Sequence, residues 1–286
     1  RAADIHRRGD PPRAAPPPRS PGKCARCLGF HETSGAVAIL PPADPCAGGL
    51  TLPHYLRPVP ACSIVEFTPP PGSRRTRQKI ARGAELAANA SEGTACRFRT
   101  TADVDLLPLR IENASLDMAT PSTPALKIQF QTQDPGRHEV FKPAGVRLFI
   151  HHAQPNDSTT LFLWLMRYVK SVTLRGRSQN GRTVELGKRV VRPAGFDPEC
   201  ALLPWPRFGP GGYRLLQEYF VLPSKFLFFD IRGFDALATA AEDSFEVVIR
   251  FERPPGLAPA INRDNLKLHC TPVVNLFAQT SEPVAL

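Results

Sequence analysis

The sequence predicts a mainly β protein with a few short helices, an α+β fold, for two reasons. Its 286 residues include 32 prolines, roughly twice the usual share of about 5%, and proline favours short strands, turns and sheet edges over long helices. Hydrophobic residues make up 42% of the chain, which is enough for a packed core in one large or two medium domains. We expect a first β-rich domain over residues 51–150 and a second α+β domain over residues 151–286.

Residues 1–50 differ from the rest because they are rich in Arg, Pro and Ala and show neither helical nor strand periodicity. This composition predicts a disordered tail or an out-of-frame segment. The first residues lack the apolar stretch of a secretory signal, and no apolar run approaches the ~20 residues that cross a membrane. Seven cysteines, an odd number, indicate a reducing compartment, so we expect a cytoplasmic protein.

The predicted tail contains one possible metal site, formed by three thiols and an imidazole, which are ligand types of tetrahedral zinc. Its members are Cys24, Cys27, His31 and Cys46. Their spacing matches no known zinc module, and two adjacent prolines separate Cys46 from the other three. We therefore expect no metal and no cofactor. A zinc-stabilised cytosolic domain remains an alternative, which metal analysis by mass spectrometry would decide.

Alternation of apolar and polar residues predicts strands along both expected domains. They are Cys62–Phe67, Cys96–Thr100, Val104–Ile111, Leu126–Thr132, Val146–His151, Val172–Leu174, Thr183–Leu186 and Ser244–Phe251. Asn180 and Gly181 form the strongest hairpin signal in the chain. The basic run Arg74–Arg82 predicts a loop that is either solvated or a docking surface for acidic partners.

Two helices are predicted in the second expected domain. The first is capped by Asp157 or Ser158, and apolar residues from Leu161 onward recur at helical spacing. The second lies in the stretch 213–230, YRLLQEYFVLPSKFLFFD, where Arg214, Gln217 and Glu218 occupy the face opposite to the apolar one.

Physical reasoning predicts that the stretch 213–230 is a buried junction between a helix and a strand. Pro223 ends the helix because it lacks a backbone donor, and Phe226–Ile231 predicts a strand covered on both faces. Its candidate core or interface residues are Tyr213, Leu216, Tyr219, Phe220, Pro223, Phe226, Phe228 and Phe229. Each of these residues can be either a core residue or an interface residue.

No combination of residues in the sequence predicts an active site. His151 and His152 precede Asp157 and Ser158, but neighbouring residues of a strand point to opposite faces and cannot easily serve one centre. His269 and Cys270 are likewise adjacent, and nothing in the sequence supplies a third, orienting group. No glycine-rich phosphate loop follows a strand. We expect a protein that is not an enzyme and binds no small-molecule substrate.

The formal net charge of +10 indicates either a basic surface that contacts acidic subunits or a nucleic-acid-binding protein. No aromatic interleaving or known nucleic-acid-binding motif accompanies the charge. Nucleic-acid binding remains an alternative, and it predicts an affinity that falls steeply with salt.

Several segments, in a fixed order, resemble the TssF family, also called ImpG or VasA, whose members are baseplate subunits of the bacterial type VI secretion system. The segments are PHYLRPVP (53–60), GTACRFRT (93–100), VDLLPLRIENASL (104–116), FDPECALLPW (196–205), GYRLLQEYFVLPSKFLFFDIRGF (212–234) and LHCTPVVNLFAQTSEPV (268–284). The resemblance covers roughly residues 52–286. Family members are about twice as long as this chain, so we expect a partial or truncated copy.

The resemblance implies a structural role without catalysis and a fold similar to the β domains of phage baseplate wedge proteins. TssF-like proteins assemble as two copies with a TssG-like subunit, and carry TssK-like subunits. The resulting wedges surround a VgrG spike hub, contact a TssE-like sheath initiator, and support assembly of the tail tube and contractile sheath. The implied location is the cytoplasmic side of the inner membrane complex. No nucleic acid and no insertion into the membrane are implied.

Overall fold

A computed structural model describes residues 58–68, 77–88, 96–132, 145–177, 181–206, 209–237 and 244–277. These residues form fifteen β-strands and two α-helices, and every strand pair is antiparallel. The prediction of a mainly β protein with a few short helices is therefore confirmed. Within this part of the chain no helix is both long and apolar enough to span a membrane.

The elements follow one another along the chain with short 3-10 turns between several of them. The strands are β1 (Cys62–Glu66), β2 (Gln78–Ile80), β3 (Glu85–Ala88), β4 (Cys96–Thr100), β5 (Val104–Leu106), β6 (Leu109–Asp117), β7 (Ala125–Thr132), β8 (Val146–Ile150), β9 (Val169–Gly176), β10 (Thr183–Leu186), β11 (Val191–Ala194), β12 (Phe228–Ile231), β13 (Ser244–Phe251), β14 (Leu266–Lys267) and β15 (Cys270–Val274). The helices are α1 (Pro155–Arg167) and α2 (Gly211–Val221).

A five-stranded sheet with the order β10-β9-β13-β7-β6 forms one layer. Strand β7 alternates as the sequence predicts: Leu126, Ile128 and Phe130 are fully buried, whereas the residues between them carry polar side chains on the other face. The inner face packs into one large core that also includes Trp164 of α1 and Phe229 of β12. The alternation of apolar and polar residues therefore predicts β7 correctly.

A four-stranded sheet with the order β11-β12-β8-β14 contributes to that core from the opposite side. Phe229 of β12 joins the large core, while Phe228 joins a second cluster with Phe149 and Cys270 on the other face. The prediction of a strand covered on both faces is thus confirmed for β12. Its start differs, because residues 223–226 form a 3-10 helix before the strand begins.

The second cluster packs between this sheet and another four-stranded sheet, which has the order β1-β15-β4-β3. Strands β2 and β5 pair beside it over a small core that contains Phe67 and Val104. The single strand predicted over Val104–Ile111 is two strands, β5 and β6, because Pro108 between them cannot donate a ladder hydrogen bond.

Two local predictions differ from the structure. Helix α1 begins at Pro155 with Gln154 as its N-cap residue, not at the predicted caps, because proline at the first helical position is already in helical geometry. Part of the basic run Arg74–Arg82 is strand β2 and not a loop. Two of its cations are paired: the Arg77 guanidinium lies 2.9 Å from the carboxylate of Asp105, and the Lys79 ammonium lies 2.6 Å from that of Asp103.

The described residues from Cys62 onward belong to one compact unit. Strand β7 pairs with β13 along its whole length, and β8 pairs with β14, so strands from both sides of residue 150 share two sheets. This pairing corrects the expected division into domains 51–150 and 151–286. The predicted tail over residues 1–50 lies outside the described residues.

His269 joins β14 to β15 and has a left-handed φ of 57°. Its Nε2 accepts a hydrogen bond of 3.1 Å from the backbone N–H of Leu107, and its carbonyl accepts one of 3.0 Å from the N–H of Phe67. Burial lowers the pKa of the imidazole from 6.5 to about 4. The ring is therefore held neutral, and it ties the β14–β15 connection to two other segments.

This pKa makes the free energy of unfolding dependent on pH. Between about pH 6.5 and pH 4 the unfolded chain binds a proton that the folded chain excludes, so stability falls as the pH falls through this window. We expect acidification from about pH 7 to about pH 4.5 to cost wild type roughly 2–3 kcal/mol more than it costs His269→Gln, whose side-chain oxygen can accept from Leu107 without titrating. Urea unfolding at both pH values measures the difference, and identical pH dependence in the two proteins would contradict the assignment.

Candidate docking surface

Helix α2 faces the opposite way from the one that its amphipathic pattern predicts. The exposed fractions of its four large apolar residues are 55% for Tyr213, 54% for Leu216, 48% for Tyr219 and 77% for Phe220. By contrast, Arg214 and Glu218 are only 4% and 1% exposed. The prediction that the apolar face of this helix is buried is therefore wrong. Its end is as predicted, because the last helical residue is Val221, two positions before Pro223.

The polar face of α2 points inward because it belongs to a cluster of buried charges centred on Glu218. One oxygen of this carboxylate accepts hydrogen bonds from Arg214, at 3.1 Å, and from the Lys225 ammonium. The other oxygen accepts from the backbone N–H of Leu202 at 2.9 Å. Buried charges are tolerated when they are paired and hydrogen-bonded in this way. The cluster fixes which face of α2 meets the protein interior.

The same charges position a loop beside the helix. Arg214 donates a second hydrogen bond, of 2.8 Å, to the carbonyl of Phe196. Gly195 precedes it with a φ of +87°, and a Cβ there would lie 2.9 Å from the carbonyl oxygen of Lys225. Only glycine fits such a close backbone approach in this conformation. Phe196 is thus fixed next to the 3-10 helix that carries Phe226.

Aromatic rings connect this loop to both helices in an unbroken row. The ring centroids of Phe162 and Phe196 lie 6.5 Å apart, those of Phe196 and Phe226 5.0 Å, those of Phe226 and Tyr219 6.0 Å, and those of Tyr219 and Phe220 5.8 Å. Phe226 is buried beneath the row, whereas Phe220 is largely exposed. We call the surface formed by Phe162, Phe196, Tyr213, Leu216, Tyr219 and Phe220, beneath which Phe226 is buried, the aromatic surface.

The aromatic surface has the size and composition of a protein-binding site. A large aromatic side chain presents about 150–250 Å², and about half or more of it is exposed at Tyr213, Tyr219 and Phe220. The exposed apolar area is therefore on the order of 500 Å², similar to the largest patches on monomeric proteins, which are often functional. Its outward face is convex helix and not a pocket, so it suits a protein partner better than a small molecule.

The predicted site residues of this stretch fall into two groups. Phe226, Phe228 and Phe229 are core residues, whereas the four apolar residues of α2 are exposed. Pro223 begins the 3-10 helix between them. The sequence reasoning missed Lys225, which is fully buried. Its position directly before the apolar run FLFF was an available signal, because a lysine in a buried segment requires an anionic partner.

The remaining chemical candidates do not form a reactive site. His152 accepts a hydrogen bond from the Gln154 N–H and contacts the Ala260 carbonyl at 3.0 Å, so it stabilises the start of α1. Burial raises the pKa of the thiols of Cys62, to about 11, and of Cys270, which keeps them protonated. Within the described residues there is no cluster of possible metal ligands. The proposed zinc ligands Cys24, Cys27, His31 and Cys46 lie outside them.

Removing the Glu218 carboxylate is expected to destabilise the protein strongly. Glu218→Ala leaves two buried cations and a backbone N–H without their acceptor, which costs about 3–5 kcal/mol of unfolding free energy. Glu112→Ala is the matched control, because Glu112 pairs with Arg177 at 3.2 Å on the surface, where such pairs contribute about 0–1 kcal/mol. Denaturant unfolding compares the two, and equal losses would contradict the role of the buried cluster.

Comparison with known proteins identifies the family. A family model described as "Type VI secretion system, TssF" matches residues 49–286. The type VI secretion system component TssF1 of Pseudomonas aeruginosa is 30% identical over 255 residues, which cover 83% of this chain and 41% of that protein. A chain in the cryo-electron microscopy structure of a TssK-TssF-TssG baseplate subcomplex is similar with a TM-score of 0.71 and 26% identity, over 85% of this chain and 46% of that one.

This chain thus spans less than half the length of the relatives that it matches. The similarity nevertheless extends over most of its own residues and includes the fold as well as the sequence. The resemblance that the six sequence segments predict is confirmed. The chain belongs to the TssF family of the type VI secretion system.

Proposed function

We propose that this chain is a structural subunit of a type VI secretion baseplate wedge, which assembles with TssG-like and TssK-like subunits. The fold supports this role, because it is similar to a chain of a solved TssK-TssF-TssG subcomplex. The observation that carries the proposal is the outward orientation of α2. Four large apolar side chains of that helix are exposed while its charges are buried, which is expected of a subunit that is covered by partners in its assembly.

The role is architectural and not catalytic. His269 and Cys270 are buried groups with structural hydrogen bonds: His269 accepts one from the backbone N–H of Leu107, and the Cys270 thiol donates one to the carbonyl of Leu268. The largest organised set of charges, around Glu218, holds an exposed surface in place. In the assembled apparatus the wedge supports the tail tube and the contractile sheath.

We extend the proposal to the other members of the apparatus. The wedge contains a second TssF copy, surrounds a VgrG spike hub and contacts a TssE-like sheath initiator. It lies at the cytoplasmic side of the inner membrane complex. Family membership and the shared fold support this extension, which concerns the whole assembly.

The described surface does not favour nucleic-acid binding as the alternative use of the positive charge. Many of its cations are paired with carboxylates: Arg77 with Asp105, Lys79 with Asp103, Lys127 with Asp117, Arg147 with Asp230 and Arg177 with Glu112. Paired cations release fewer counterions on binding phosphates. The charge is better suited to contacts with acidic protein surfaces.

Co-expression tests the proposed function. We expect a tagged copy of this chain to purify together with the TssG-like and TssK-like subunits of the same bacterium and to form a complex of defined mass on size exclusion with light scattering. An affinity-tagged protein of similar charge and size controls for non-specific capture. Failure of both subunits to co-purify with folded chain would count against the proposal, as would tight binding of DNA or RNA at physiological salt.

A further inference from the structure

We propose that the aromatic surface binds an acidic partner subunit through a face that is apolar at its centre. This inference rests on the proposed function, since it names the kind of partner that one surface of the assembling chain accepts. It identifies which residues carry the contact and what chemistry the partner must offer. Four observations support it in turn.

The first observation is the absence of charge from the exposed face of α2. Both ionisable side chains of the helix that carry charge at neutral pH, Arg214 and Glu218, are buried in the internal cluster. Tyr213, Leu216, Tyr219 and Phe220 present only apolar bodies and two phenol groups. A partner that covers this face needs no compensating charge at its centre, and the contact resembles the apolar core of a permanent interface.

The second observation is the fixed position of the surface before any partner binds. Arg214, Glu218 and Lys225 hold α2 to the loop at Leu202 and to the backbone at Phe196. The aromatic rings also contact one another from Phe162 to Phe220. Rings that are already held in place lose little conformational entropy on binding, so more of the burial energy appears as affinity.

The third observation is the charge of the segments that carry the surface. Several of their exposed residues are cationic, namely Arg167 at the end of α1 and Lys188, Arg189 and Arg192 before Phe196. Among the ion pairs of the described residues none involves these four. Exposed carboxylates in the same segments are fewer, at Asp197 and Glu199. A partner with a carboxylate-rich rim complements this arrangement.

The net charge also distinguishes the possible occupants. An isologous contact on this surface between two copies, each with a net charge of +10, would bring the same basic segments together, and they would repel each other; the second copy proposed for the wedge contacts the chain elsewhere. An acidic partner gains from the same charges. An acidic heterologous subunit is therefore favoured over a second copy.

The fourth observation is the area. An interface of standard size buries about 800 Å² on each partner, and the aromatic surface exposes on the order of 500 Å² of apolar area. The basic segments beside it can supply the remaining polar rim. Large exposed aromatic residues are the residue type that most often dominates binding energy, and Phe220 is the most exposed of them here, at 77%.

The experiment uses the full chain with the co-expressed TssG-like and TssK-like subunits as probes. Phe220→Ser is expected to weaken the complex at least 20-fold, roughly the effect of one dominant interface residue, without lowering the thermal midpoint of the isolated chain. Leu257→Ser is the matched control, because Leu257 is also a highly exposed apolar residue, at 92%, on a loop that does not belong to the aromatic surface. We expect the control to bind as wild type does.

A charge reversal tests the acidic rim. Arg192→Glu is expected to weaken the complex several-fold at low salt and much less at high salt, because screening removes the repulsion that it introduces. Arg263→Glu changes the charge equally at an exposed position in another segment and serves as its control. A complex that is unaffected by Arg192→Glu, or strengthened by it, overturns the acidic character of the partner.

The outcomes separate this inference from the proposed function. If wild type binds the two subunits and Phe220→Ser binds equally well, the inference is overturned while the proposed function stands. If wild type binds neither subunit, the proposed function fails and the inference fails with it. If wild type forms dimers that Phe220→Ser dissociates, a second copy occupies the surface and the inference is wrong.

Hydroxyl-radical footprinting tests whether another part of this chain covers the aromatic surface. Oxidation of Tyr213, Tyr219 and Phe220 in the isolated chain, followed by protection in the complex, supports the inference. Protection of these residues already in the isolated monomer shows that the chain covers its own surface, and overturns it.

Discussion

The orientation of helix α2, and with it the exposure of the aromatic surface, depends on the carboxylate of Glu218. It accepts hydrogen bonds from Arg214 and Lys225, and from the backbone of Leu202. These bonds join α2 to the 3-10 helix that follows it directly and to the loop at Leu202, sixteen residues before Glu218. A buried ion pair of this kind is weak evidence for stability, because desolvation of the charges offsets much of their attraction. Its clear contribution here is geometric, since it decides which face of α2 is exposed.

Local patterns in the sequence predict the strands well because they depend only on neighbouring residues. Alternation in Leu126–Thr132 and Ser244–Phe251 corresponds to β7 and β13, and the nearly continuous apolar run that ends at Ile231 corresponds to a strand covered on both faces. The pairing between strands depends on residues far apart, such as Phe130 and Phe245. No local pattern encodes that pairing, so a domain boundary at residue 150 could not be recognised as wrong from the sequence.

The orientation of α2 could not be predicted from its amphipathic pattern. The pattern separates an apolar face from a polar face correctly, but the prediction that the apolar face is buried assumes that this face packs against the same chain. That assumption fails here, because the charged residues of α2 are held inside the protein. The contrary signal lies just beyond the helix: Lys225 is inside a buried segment and needs an anion, and Glu218 lies seven residues before it. The pairing of these two residues, together with Arg214 and the backbone of Leu202, fixes the inward face.

The buried charges and the exposed rings are consequences of one arrangement. A helix with its apolar face inward would bury Tyr213, Leu216, Tyr219 and Phe220 and stabilise the isolated chain, at about 25 cal/mol per Å² of apolar area. The observed orientation forgoes that gain, and in the proposed assembly the same apolar area becomes available for association. On the order of 500 Å² then corresponds to a gross contribution of about 12 kcal/mol, most of which the entropy of association and side-chain ordering offsets. Selectivity for the assembled state over the free subunit is therefore built into the orientation of a single helix, and Glu218 holds that orientation.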